Sequence, residues 1–255
     1  MESSIISAEG AHHSLHPLYM DYIMLADLFV YPENEKYREK IKEIYAYLLN
    51  VLPECAETLQ PFIDFTEASS LREIQELFLR SFDVQAITTL DIGFVLFGED
   101  YKRGKLLVHL NEEHRKAGND CHTELSDHLP NLLHLIAKMK DEEIRSEIGT
   151  LLLIPAVEKM ADEFSFEKIE KKDVVYKKHQ KVLLDYSADY RTVYQSCLRA
   201  LFLALTKDFG DAAEAELLKN NSPSNADPDI PGMNAGDKPI KDFSQNIETE
   251  MLTEK

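Results

Sequence analysis

The side chains best suited to ligating a metal cluster between His109 and His128: His109, Glu112, Glu113, His114, Glu124 and His128. Helical di-metal sites need Glu-x-x-His pairs repeated on facing helices, each opposed by another carboxylate. No Glu-x-x-His occurs in this stretch, so a surface charge cluster is the better reading. Gly93, Gly98, Gly104 and Lys105 invite comparison with a phosphate loop, but Glu99 follows the second glycine and Leu106 follows Gly104-Lys105. The Lys-Ser/Thr needed after the last glycine is missing. Cys121 and His122 are neighbours whose side chains diverge on a regular backbone, and no Gly-x-Ser-x-Gly elbow is present. The residues therefore point away from an enzyme and from a resident cofactor or metal.

What remains is the segment Glu124 to Leu133, ELSDHLPNLL. An Asp ahead of a helix is commonly a cap, which would have Asp127 open a helix with Pro130 in its first turn. The other reading makes Asp127 and His128 polar anchors at a helix rim, holding a peptide whose apolar face fills a groove. Sequence physics leaves both open.

The elements that must position this segment read as helices. Leu18, Tyr22, Leu25, Ala26 and Phe29 form a stripe from Pro17 to about Tyr31. A second helix, about Glu33 to Val51, turns Tyr37, Ile41, Ile44, Tyr45, Leu48 and Leu49 inward and is stopped by Pro53, and a third runs from about Cys55 to Phe65. Ser69-Ser70 followed by Glu73 resembles a capping box, opening a helix with Leu71, Ile74, Leu77, Phe78 and Phe82 inward. Ala86 to Phe97 reads as a buried helix, and Glu99 to about Lys116 as an amphipathic one closed by Gly118. Beyond the ELSDHLP helix, further helices are expected at about Asp141 to Phe164, bent at Pro155, and at Val174 to Leu205.

With 9 glycines, no tryptophan and 44% hydrophobic residues in 255, the expected fold is all-α. One bundle-like domain of about eight to ten helices should span 17–217, between a flexible arm at 1–16 and an acidic tail at 218–255. The net charge of −18 disfavours nucleic acid and suits a cationic peptide. The cluster Lys168 to Lys172 is interrupted by Glu170 and reads as a solvated surface. Three widely spaced cysteines, no basic-apolar leader and no long apolar run suggest reduced thiols in a soluble cytoplasmic protein.

The segment Glu124-Leu125-Ser126-Asp127-His128-Leu129-Pro130 resembles the Glu-Leu-Pro-Asp-His/Tyr-Leu-Pro motif of molybdenum-enzyme maturation chaperones, in particular the nitrate reductase delta-subunit (NarJ-type) branch of the TorD/DmsD-like family. Three further segments resemble that family in order: Leu25 to Pro32, Glu76 to Asp83 and Tyr101 to Leu107, the last containing Arg103-Gly104-Lys105. The likeness covers roughly 18–165. Ser126 stands where the family has proline, a departure expected to loosen the turn.

The resemblance implies a cytoplasmic chaperone that binds the N-terminal peptide of a molybdoenzyme catalytic subunit. It would hold that subunit open until its bis-molybdopterin guanine dinucleotide and iron-sulfur clusters are inserted, before membrane attachment or export, and would retain no cofactor itself. A groove lined by Phe78, Phe82 and Leu129 would take the apolar face of the peptide. Asp127 and His128, with Pro130 beside them, would meet its polar or cationic residues, supported by Glu124, Leu125, Arg103 and Gly104. The alternatives are a helical scaffold or regulator with an unrelated protein partner and, further off, a helical metal-dependent enzyme using the His109 to His128 cluster.

Overall fold

The computed structural model describes residues 19–172 and 191–220, with side chains described through 211. The expected arm at 1–16, the Leu18 position, the tail beyond 220 and the first half of the expected 174–205 helix lie outside these residues. The protein is all-α. Among the described residues no strand forms, and the only β-type pairing is an isolated antiparallel bridge between Asp91 and His128.

The elements are α1 (Tyr22–Ala26) running into a 3-10 turn (Asp27–Phe29), α2 (Lys36–Val51), α3 (Pro53–Ala68), α4 (Leu71–Phe82), α5 (Ile92–Phe97) and α6 (Tyr101–Ala117). They are followed by α7 (Leu129–Lys138), α8 (Glu142–Glu147), a π-helical turn (Ile148–Leu153), α9 (Ile154–Glu163), a helical segment α10 at 166–172, and α11 (Val193–Asn220). The last runs past 217, so the helical domain extends beyond the expected boundary. No helix among the described residues is long and apolar enough to cross a membrane.

Local chemistry explains most boundaries. At α4 the Ser70 hydroxyl accepts from the Glu73 backbone N–H while the Glu73 carboxylate accepts from Ser70 N–H at 2.6 Å, a complete capping box. Asp100 caps α6 by accepting from Lys102 N–H at 2.9 Å, and Gly118 ends it in the left-handed conformation. Pro53 does more than stop α2: it occupies the first turn of α3, where a missing N–H costs nothing.

Other expectations are corrected. The opening helix is one turn plus a 3-10 turn. Leu49 faces solvent, because the inward stripe of α2 is Tyr37, Ile41, Ile44 and Leu48. Only Ile92–Phe97 of the 86–97 stretch is helical; before it the chain is irregular and hydrogen-bonded back to α4, with Ile87 N–H on Arg80 C=O and Thr88 N–H on Ser81 C=O. The irregularity expected at Pro155 falls one turn earlier, as the π turn. That widened turn brings Gly149 so close to the Phe209 ring that a Cβ would lie 2.5 Å from it.

One core runs through the molecule. α11 packs along α3 and α9, α2 lies against α3, and α1 lies on α7. Phe29, Phe62, Phe78, Phe82, Phe164 and Tyr194 fill its centre. Phe82 is the hub, with ring centroids 4.8 Å from Tyr194, 5.4 Å from Phe78, 6.3 Å from Phe164 and 6.4 Å from Phe29.

Candidate functional site: a polar clamp around the ELSDHLP segment

The start of α7 is not capped by Asp127. The N-cap residue is His128, with Pro130 in the first turn as expected, and no side chain caps this end. Asp127 instead points inward and is 0% exposed. Its Oδ2 accepts from Arg103 Nε at 2.9 Å and from the Gly93 backbone N–H at 3.1 Å, while its Oδ1 accepts from Arg103 Nη2 at 3.3 Å. A fully desolvated carboxylate is tolerable only with such compensation.

Arg103 also reaches Asp91, donating from Nη2 to Oδ2 at 2.8 Å. The other oxygen of Asp91 accepts from His128 Nδ1 at 3.3 Å. That hydrogen bond, opposed by partial burial and reinforced by the Arg103 guanidinium, holds the Asp91 carboxyl below the usual carboxylate range. Backbone pairs run alongside: Leu129 N–H donates to Leu90 C=O at 2.8 Å and Ile92 N–H to Asp127 C=O at 2.9 Å. The clamp therefore ties the starts of α5 and α7 to α6. Phe94, on α5, lies under the Arg103 guanidinium, whose carbon is 5.6 Å from the ring centroid.

Gly93 makes this approach possible. A Cβ there would sit 2.7 Å from Asp127 Oδ2, so any other residue would displace the carboxylate or the helix.

A second network holds the loop before His128. The His114 Nδ1 accepts from Asn119 Nδ2 at 2.9 Å, which leaves its Nε2–H to donate to Ser126 C=O at 2.9 Å. Burial pushes the His114 pKa down, favouring this neutral form. Lys138 donates to Asn119 Oδ1 at 2.7 Å, and Asn131 donates to Leu125 C=O at 2.9 Å. Ser126 tightens the turn where the resemblance suggested loosening: its hydroxyl donates to Leu107 C=O at 3.2 Å, a bond that proline could not make.

Phe78, Phe82 and Leu129 do not line a groove. All three are buried in the core, Phe78 against Tyr31 and Tyr194. What faces outward beside the clamp is Leu125, 50% exposed, and the Glu124 side chain, 58% exposed, whose Oε2 lies 3.9 Å from His128 Nδ1. His128 and Asp91 are half-buried at the edge of this rim. Gly104 is exposed on α6 with open space around it. Of the residues singled out from sequence, Arg103, Asp127 and His128 come together; Phe78 and Phe82 lie elsewhere.

Sequence reasoning missed Asp91, Gly93, Asn119 and Asn131. Asp91 had a signal: a carboxylate inside a stretch read as buried demands a partner. In comparisons with known proteins, no family model matches the chain and no curated protein matches it. Among the described residues, no group of three His, Cys, Asp or Glu side chains is placed to hold a metal ion.

Proposed function

We propose that the protein is a maturation chaperone that binds the N-terminal region of a molybdenum oxidoreductase catalytic subunit, nitrate reductase-like, and assists cofactor insertion in the cytoplasm. The observation that carries this reading is the clamp itself. Arg103 lies in one segment resembling the chaperone family and Asp127 in another, and the two meet in a bidentate ion pair. The other two resembling segments also meet, through Phe29 with Phe82 and through Gln75 Nε2 donating to Pro32 C=O at 2.9 Å just outside the second segment. Residues that recur for their contacts with one another are what a shared fold requires.

In this reading Asp127 positions the rim and does not touch the client. The rim presents His128, Asp91, Glu124 and Leu125: two carboxylates and an imidazole beside one exposed leucine. That chemistry fits a cationic, amphipathic helix, drawn in by the chain's net charge of −18.

The test is calorimetric titration of the full chain with the N-terminal peptide of a molybdoenzyme catalytic subunit encoded beside it, and with the corresponding apo-subunit. Binding that weakens at least tenfold in His128→Ala and in Glu124→Lys, with helicity unchanged, supports the reading. No binding to either peptide or apo-subunit would sink it. Binding unaffected by both substitutions would move the contact away from this rim.

A further inference from the structure

A cleft of about 590 Å³ opens beside α5, between the irregular 86–89 stretch, α9 and α10. Its size is that of a small-molecule site. One wall is apolar, made of Phe94, Val95 and Ile87. Phe94 leaves 40% of its surface in solvent, an aromatic face available for a ligand to cover.

Among the described residues the opposite wall is cationic on balance, which is unusual in a chain of net charge −18. Lys159, Lys168 and Lys172 face the carboxylates of Asp162 and Glu163 there. Glu163 is shared: Lys168 approaches one oxygen at 2.9 Å and Lys172 the other at 2.7 Å. Burial opposes ionisation of Glu163, but those two lysines outweigh it and hold its carboxyl below the ordinary range, so the acid stays charged. Lys172 also donates to Ile87 C=O, which pins the 86–89 stretch to α10 and props the cleft open. Each of these ammonium groups has three N–H donors, so both keep capacity beyond Glu163. Lys159 makes no ion pair among the described residues. Thr88 lines the same cleft.

We propose that this cleft binds a small organic anion with an aromatic or branched apolar body, the body lying on Phe94 and Val95 and the anionic group meeting Lys159 with Lys168 and Lys172. Both halves are needed. An inorganic anion would leave Phe94 uncovered, and a cation of the same shape would meet three ammonium groups.

Phenyl phosphate, inorganic phosphate and benzylamine, titrated separately into the full-length protein and followed by ¹H–¹⁵N NMR, test it. Phenyl phosphate is expected to shift amides within 86–95 and 159–172, with inorganic phosphate at least tenfold weaker there and benzylamine inert. Lys159→Glu, at an exposed position, should weaken phenyl phosphate at least tenfold with an unchanged circular dichroism spectrum, and Lys159→Gln should weaken it less. Absence of shifts in those two stretches at millimolar phenyl phosphate, equal binding of benzylamine, or indifference to Lys159→Glu would each overturn the proposal.

Discussion

The packing around Phe82 is aromatic and apolar, whereas the seam between α6 and the 119–128 loop is built from ions and directed hydrogen bonds. In the first, Phe82 touches four other rings. In the second, one guanidinium holds two carboxylates, and a backbone N–H completes the set. Apolar burial is strong but weakly directional, so the aromatic seam supplies stability without fixing an orientation closely. The clamp supplies the opposite: its net free energy is modest once desolvation is counted, yet it admits one arrangement of Asp127 and His128. A recognition rim beside such a clamp is held in place by groups that need not touch the ligand.

Substitutions should separate these roles. Phe82→Ala is expected to cost about 3–5 kcal/mol by leaving a cavity among four rings, read as a lowered urea midpoint. A loss below about 1 kcal/mol would show that the hub collapses or was never tight. Arg103→Ala should cost a similar amount, about 3–5 kcal/mol, because Asp127 is left charged and buried. The contrast appears in the repair: Arg103→Met combined with Asp127→Leu should regain most of that stability, while binding of the N-terminal client peptide stays lost. If the double variant binds peptide normally, the clamp does not position the rim.

Gly93→Ala is expected to cost about 1–3 kcal/mol through the clash with Asp127, and Asp127→Ala should relieve part of it. Additive effects in that pair would refute the close approach.

The smaller effects concern protons. His114 binds its proton less readily in the folded protein, because burial lowers its pKa, than in the unfolded chain, where it titrates near about 6.5. Stability from this group is therefore complete above that value and lost as the pH falls through it toward the lowered folded value. His134, also shifted down by burial, contributes with the same sign. Urea midpoints measured from pH 7.5 to 5.5 should fall, and His114→Gln should flatten part of the slope. Asp91, with its lowered pKa, acts in a separate window: its contribution holds above about pH 4 and disappears as the pH drops below that. An unchanged slope in His114→Gln would place the acid sensitivity elsewhere.

The helices were legible because their signals are local. The Ser70–Glu73 box and the Gly118 terminator each act within one turn, and each is found where the sequence puts it. Fold class followed from the same periodicity. The site was legible only in part. Asp127 and His128 stand out by type, but whether Asp127 caps a helix or is buried depends on Arg103, 24 residues away, and on a missing Cβ at position 93. Phe78 and Phe82 read from sequence as groove residues because an aromatic on an inward stripe looks the same whether the neighbouring helix is present or absent. Tyr194, far along the chain, decides the matter by packing against both.

Gly93 also gives a way to find relatives that overall similarity would overlook. The clamp demands Asp, then any residue, then Gly; after nine more residues, Arg; and after a further 23, Asp-His. The loop between the end of α6 and Asp127 can vary in length, but the glycine cannot become another residue while the carboxylate remains buried against it. Among divergent sequences, Gly93, Arg103 and Asp127 should therefore be kept or lost together, and a chain with Arg and Asp in place but a bulkier residue at the glycine position would have to seat its α7 differently.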